Sequence, residues 1–223
     1  MSGWWIADYW QSGQTVLLAS WIFWVIASIC LHELGHGAAA IWEGDDTPRR
    51  TGHMTWNPMV HMGTLSIVLF LLVGFAYGLM PVDPRNFRHG RRGDALVAAA
   101  GPAVNLILGV VLLTSAGLVS GVLLNQDSPP MWATNIQLFL ATGGWLNLVL
   151  LALNLLPIPI LDGGQALIYS IEGIMRSPLS MRAREIANSF GFAVLVLLMS
   201  RAFWNDLTPF WSRFVDWLSG TAP

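Results

Sequence analysis

The chain has 223 residues, 54% hydrophobic and 11% charged, with a formal net charge of -2 and a mean hydropathy of +0.56. An average soluble domain carries about 25% charged residues, and no soluble core this small hides several apolar runs close to the roughly 20 residues that cross a bilayer. A soluble globular protein is excluded, and without a basic field so is a nucleic-acid partner.

In chain order, Trp4, Trp5 and Trp10 come first and suit a membrane interface. Five apolar runs follow: Val16–Ile41, Gly63–Met80, Ala95–Gly121, Ala133–Leu156 and Ile186–Trp204. The first 48 residues hold no Lys or Arg, so no cleaved signal peptide is expected. Trp42–Met62 is charged and punctuated by Gly52 and Pro58, and reads as a hairpin or irregular loop. Pro81–Asp94 carries Arg85, Arg88, Arg91 and Arg92 and reads as an interfacial connector. Asn125–Pro130 reads as a turn. Pro157–Gly164 must end or break the helix before it. GxxxG spacings at Gly74–Gly78 and Gly117–Gly121 suggest close helix packing. Trp204, Trp211 and Trp217 follow the last run. The expected fold is all-α: one polytopic membrane helix bundle over residues 1–223, with about four to six transmembrane segments.

The chemistry concentrates in His32-Glu33-Leu34-Gly35-His36, inside the first run. Positions i and i+4 of a helix lie ~40° apart and one turn along. Both imidazoles therefore reach one Zn²⁺, and Glu33 beside them can take the proton of a water at the metal. Titratable groups inside a span are costly unless paired or functional, and here three fall within five residues. Two histidines leave a metal short of ligands. Asp162, in Asn154-Leu-Leu-Pro-Ile-Pro-Ile-Leu-Asp162-Gly163-Gly164, is the candidate third. Taken alone it fits a surface Asp-Gly turn equally well; beside HELGH the ligand reading is favoured. Two neutral imidazoles, Asp162 and ionised Glu33 bring a Zn²⁺ site to about zero charge, as a low-dielectric interior requires. The single cysteine, Cys30, excludes an internal disulfide and a Cys-rich metal site; two residues from His32, it points away from the ligands.

HELGH, the run Ala99 to Asn105 and the run Asn154 to Gly164 resemble, in order, the motifs of the site-2 proteases, intramembrane zinc peptidases of family M50. Gly44-Asp45 through His61, and Pro81-Val82 to Asp94, look like its compact prokaryotic subgroup without appended domains. The resemblance implies one zinc per chain on His32, His36 and Asp162, with Glu33 catalytic. It implies that Asn154 holds the scissile carbonyl and that Asn105 shapes the cleft or positions substrate. It also implies single-span membrane substrates, such as membrane-tethered transcription regulators or signal-peptide remnants, in a prokaryotic plasma membrane. The departure is at His61, which runs into Met62-Gly63-Thr64 where relatives read His-x-Asp-Pro-x-Gly-Thr; His61 is therefore read as a loop histidine. His53 and His89 are read as interfacial. A catalytically silent scaffold of the same fold is the alternative, opposed by the intact Glu33. A metal transporter would need a polar path that the other runs lack.

Depth sets a further expectation. If all five runs crossed, the first and fourth would be antiparallel, and HELGH and Asp162 would lie on the order of 20 Å apart. Sharing a metal requires them parallel, so Trp42–Asp94 should begin and end on one side, with Gly63–Met80 re-entrant or shallow. Nine arginines then lie on one side, leaving Arg201 and Arg213 on the other. Positive charge favours the cytoplasm, which puts the zinc toward the cytoplasmic leaflet.

Overall fold

A computed structural model describes residues 4–124, 128–194 and 197. The short α1 (Trp5–Gln11) precedes α2 (Thr15–Glu43), 29 residues without a proline, which stops where Gly44 takes a left-handed φ of 104° and donates to the carbonyls of Ala40 and Ile41. A single turn, α3 (Thr47–Arg50), leads to α4 (Pro58–Val73). α4 starts five residues before the apolar run does, because the Asn57 side chain accepts from the Met59 N–H and Pro58 supplies a preset first-turn φ. It ends at Gly74.

From there the chain runs back along α4. The Ser66 hydroxyl donates to the Tyr77 carbonyl (2.7 Å) and accepts from the Tyr77 N–H (2.8 Å), and the Leu79 N–H reaches the His61 carbonyl (2.9 Å). α4 is kinked at Gly63, whose φ of 67° and ψ of 169° are non-helical, so its 16 residues rise less than the roughly 24 Å of a straight helix, short of a ~30 Å hydrocarbon core. The two ends of the excursion are tied together by Asp45, which is fully buried. Its carboxylate accepts from Thr47 N–H (3.1 Å) and hydroxyl (2.6 Å), Asp83 N–H (2.7 Å) and Asn86 Nδ2 (2.9 Å). Burial alone would push the Asp45 pKa up; these donors outweigh it and hold the group below the usual carboxylate value. The segment after HELGH is thus a hairpin that begins and ends in one place.

After it come α5 (Arg91–Val119), α6 (Met131–Asn154) and α7 (Asp162–Met175), with further helix over 181–194. Among the described residues α2, the continuous stretch Arg91–Leu124 and α6 are long and apolar enough to cross a membrane. The last part of the fifth apolar run, with Trp204, Trp211 and Trp217, lies outside the described residues. Trp24 Nε1 donates to the Phe139 carbonyl (2.9 Å) and Asn147 Nδ2 to Ser28 Oγ (2.9 Å), so rising numbers pair with rising numbers and α2 and α6 run parallel. α5 opposes both: His36 meets Val97 while His32 meets Asn105, and Asn105 in turn meets Asn147. One crossing, α5, therefore separates the HELGH helix from the one that leads to Asp162.

The GxxxG expectation fails. Gly74 is the left-handed end of α4, Gly78 lies in the non-helical return segment, where it approaches Glu33 and Ile29 of α2, and a Cβ at Gly117 or Gly121 would touch nothing within 4 Å. Close packing uses other glycines: a Cβ at Gly109 would press on Leu148 (2.7 Å), and one at Gly144 on Leu113 (2.7 Å). On the hairpin side of this framework Trp24, Val25, Ile29, Met62, Phe70, Leu112 and Leu146 form the apolar core that joins α2, α4, α5 and α6.

Candidate metal centre

His32, Glu33 and His36 lie on the buried face of α2, each 7–8% exposed. The break at 155–161 brings in the third side chain. Pro157 and Pro159 end α6, the Leu161 N–H closes a turn on the Ile158 carbonyl (2.8 Å), and α7 starts at Asp162. The turn is so tight that a Cβ at Gly163 would stand 2.6 Å from the Leu155 carbonyl oxygen, and one at Gly164 would collide with the Ile158 carbonyl. Only glycine fits there.

The result is a triangle of acceptor groups, in which Asp162 faces each ring with a different carboxylate oxygen. His32 Nε2 lies 3.0 Å from His36 Nε2 and 3.0 Å from Asp162 Oδ2, and His36 Nε2 lies 3.4 Å from Asp162 Oδ1. Whether protons fill the triangle is decided on the far sides of the rings. His36 Nδ1 sits 2.7 Å from the Val97 carbonyl, which can only accept, so Nδ1 carries the hydrogen and Nε2 of the neutral ring is bare. For His32 the assignment passes through two amides. The Gly143 carbonyl can only accept, so Asn147 turns Nδ2 toward it (2.8 Å). Asn147 Oδ1 then accepts from Asn105 Nδ2 (2.8 Å), which leaves Asn105 Oδ1 facing His32 Nδ1 at 2.6 Å. Nδ1 again holds the hydrogen and Nε2 is bare. In keeping with this, Asp162 Oδ2 is buried with no hydrogen-bond donor among the described residues, despite its 3.0 Å approach to His32.

Two imidazole lone pairs and a carboxylate that face one another repel unless a cation sits among them. Zn²⁺ takes such ligands at about 2.0–2.2 Å, which in tetrahedral geometry spaces them about 3.3 Å apart, so the observed 3.0–3.4 Å fits. Room is kept by Gly101 of α5: a Cβ there would stand 2.5 Å from His32 Nε2 and 2.6 Å from its Cε1. These residues fit zinc.

The remaining candidates fall around this triangle. Glu33 abuts the hairpin return, where a Cβ at Gly78 would meet its Oε1 at 2.5 Å. Asn154 is the last residue of α6, half-buried, its carbonyl beside Gly163. Asn105 is fully buried, with its amide engaged at both ends. It stands behind the His32 ring, with Oδ1 2.6 Å from His32 Nδ1. His61, expected in a loop, lies instead in the first turn of α4, 1% exposed, and donates through Nε2 to the Thr55 carbonyl (2.7 Å), outside the triangle. Cys30 is buried and outside it too. His53 bonds locally to Thr51 and His89 to Glu43. Sequence reading missed Asn147 and Ser28; a polar residue in the middle of each of two apolar runs was the available signal.

The model of the family described as "Peptidase family M50" matches residues 20–129 and 118–198. The chain belongs to peptidase family M50. Three of its relatives carry the name "Putative zinc metalloprotease". YwhC of Bacillus subtilis is 36% identical over 179 residues, 78% of this chain and 77% of that protein. Rip2 of Mycolicibacterium smegmatis is 32% identical over 193 residues, 82% of this chain and 66% of its own length. A Rip2 of Mycobacterium tuberculosis is 32% identical over 206 residues, 85% and 72%. No solved structure matches the chain. This M50 member is a zinc-dependent peptidase and a membrane protein, an all-α bundle.

Proposed function

We propose that this peptidase cleaves peptide bonds within or beside membrane-spanning segments of other proteins, with His32, His36 and Asp162 as its zinc ligands. The supporting observation is the convergence of three proton-free acceptors, 3.0–3.4 Å apart, on a helix that is itself long and apolar enough to span a membrane. Zinc, when bound, supplies the positive charge that polarises a carbonyl and acidifies water. Glu33 takes the proton of the attacking water and passes it to the leaving amine. Asn154, at the end of α6, donates its amide N–H to the carbonyl oxygen as negative charge develops there. Asn105 keeps His32 in the tautomer that presents Nε2.

A helical substrate hides its carbonyls in hydrogen bonds, so substrates need helix-breaking residues or an end trimmed beforehand. Single-span proteins such as membrane-tethered regulators and signal-peptide remnants meet that chemistry. The proposed setting is a prokaryotic plasma membrane with the zinc toward the cytoplasmic leaflet, supported by the arginines that cluster where α5 begins and α7 ends. In a Cys30→Ser background, an outside-only reagent should label Ser128→Cys and spare Ser177→Cys; the reverse pattern would invert the orientation.

The activity is tested with Glu33→Gln in membranes that contain a single-span substrate. Cleavage should fall at least about 10³-fold, within the range assigned to general acid–base catalysis, while zinc stays near one per chain. Wild-type protein with full zinc that cuts soluble casein but no membrane-spanning substrate would overturn the intramembrane reading.

A further inference from the structure

A second polar cluster lies about ten residues along α5 from Gly101, roughly 15 Å away. Glu172 of α7 is 1% exposed and accepts from Arg184 Nη2 at 2.6 Å to each carboxylate oxygen, from the Leu179 N–H (2.8 Å) and from Arg91 Nε (3.1 Å). Arg91 also donates through Nη1 to Asp94 Oδ2 (3.1 Å), and both guanidinium groups lie over the Tyr169 ring, at 5.9 and 5.1 Å. This framework walls a cavity of about 330 Å³ whose lining includes His89, Arg91, Arg92, Glu172, Arg176 and Ser177. The volume is at the lower end of small-molecule pockets.

Charge does not close here. Four arginines (91, 92, 176 and 184) stand against two carboxylates: Glu172, held by Arg91 and Arg184, and Asp94, whose Oδ2 pairs with Arg91 while its buried Oδ1 has no hydrogen-bond partner among the described residues. Glu43 is taken up by the His89 N–H (3.1 Å) and Nδ1 (3.0 Å). Arg92 and Arg176 are exposed, form no ion pair with an acidic side chain among the described residues, and both line the cavity. Arg176 caps α7 with a left-handed φ of 53°, a place where glycine is the usual occupant. Two unpaired guanidinium groups on a cavity wall braced by buried ion pairs match a phosphate group.

We infer that this cavity binds a phosphate oxyanion, presented by the headgroup of an anionic phospholipid. The lipid source follows from depth: the cavity opens where α5 leaves its apolar stretch, at the level where Arg side chains meet the polar layer of a bilayer.

The test is native mass spectrometry of the full chain in neutral detergent, with phosphatidylglycerol or phosphatidylcholine added. Wild-type protein should retain one phosphatidylglycerol in preference to phosphatidylcholine. Arg92→Gln/Arg176→Gln should lower that retention at least tenfold, while Arg49→Gln, at an exposed pair elsewhere, and His32→Ala, in the zinc triangle, should leave it unchanged. Arg92→Lys/Arg176→Lys should recover most of it, which separates charge recognition from misfolding. Equal retention by the wild-type and Gln variants, or no preference between the two lipids, would overturn the proposal. Displacement of the lipid by millimolar inorganic phosphate would overturn the lipid source and assign the site to a soluble anion.

Discussion

Two buried polar clusters share the α5–α7 pair, and they differ in what they lack. The cluster at His32, His36 and Asp162 brings acceptors together with no proton between them. The cluster at Arg91, Asp94, Glu172 and Arg184 pairs guanidinium groups with every carboxylate oxygen but Asp94 Oδ1, and two further guanidinium groups stand exposed beside it. Burial demands that polar groups be satisfied, and a cation does this for the first cluster; the second leaves Arg92 and Arg176 exposed, open to an anion from outside. Composition cannot separate them, since each is a few ionisable residues near an apolar run. Tautomers, read back to a backbone carbonyl, can.

Metal removal should break the comparison most completely. A membrane-permeant chelator should abolish cleavage, and added zinc should restore it. Protons compete for the same Nε2 atoms, so zinc and activity should also be lost together as pH falls through about 5–6. Activity that persists after verified zinc removal would remove the reason for the acceptor triangle.

A smaller effect should sharpen it. Asn147→Leu removes the amide that orients Asn105, and zinc affinity measured by chelator competition should drop about 10- to 100-fold, the usual cost of losing a group behind a ligand. Ser28→Ala should cost less, because Asn147 keeps its bond to Gly143. Unchanged affinity in Asn147→Leu would show that the tautomer is set elsewhere.

The smallest effect is at the hairpin base. Asp45 has a folded-state pKa below its unfolded value of about 3.9. Its contribution is therefore complete above the unfolded value and lost as pH falls through the depressed folded one. Asp45→Ala should cost about 2 kcal/mol at pH 7, on the scale of hydrogen bonds to a charged group. In thermal unfolding the difference from wild type should shrink as the pH drops below 4. A difference that persists undiminished in acid would assign the effect to packing.

Much of this was legible in the sequence because it is local. HELGH spacing sets two rings on one helix face, and Pro157, Pro159, Gly163 and Gly164 announce the break that turns Asp162 inward. The demand that α2 and α6 run parallel, with a hairpin between α2 and α5, came from the depth of the two ligand segments and from the one-sided distribution of the arginines. What stayed hidden is tertiary. Asn105 faces His32 across 73 residues and Asn147 meets Ser28 across 119, and no spacing encodes such contacts. Gly74 and Gly78 misled for the same reason: their four-residue interval is a helix signal only if the chain stays helical, and it turns back at Gly74.

The most direct test is the zinc content of purified Asp162→Ala beside wild type. The wild-type chain should hold about one zinc, and Asp162→Ala should lose most of it together with cleavage, since two imidazoles alone leave the ion short of the three protein ligands that catalytic zinc sites use. Full zinc with full activity in Asp162→Ala would contradict the assignment and send the search for the third ligand elsewhere.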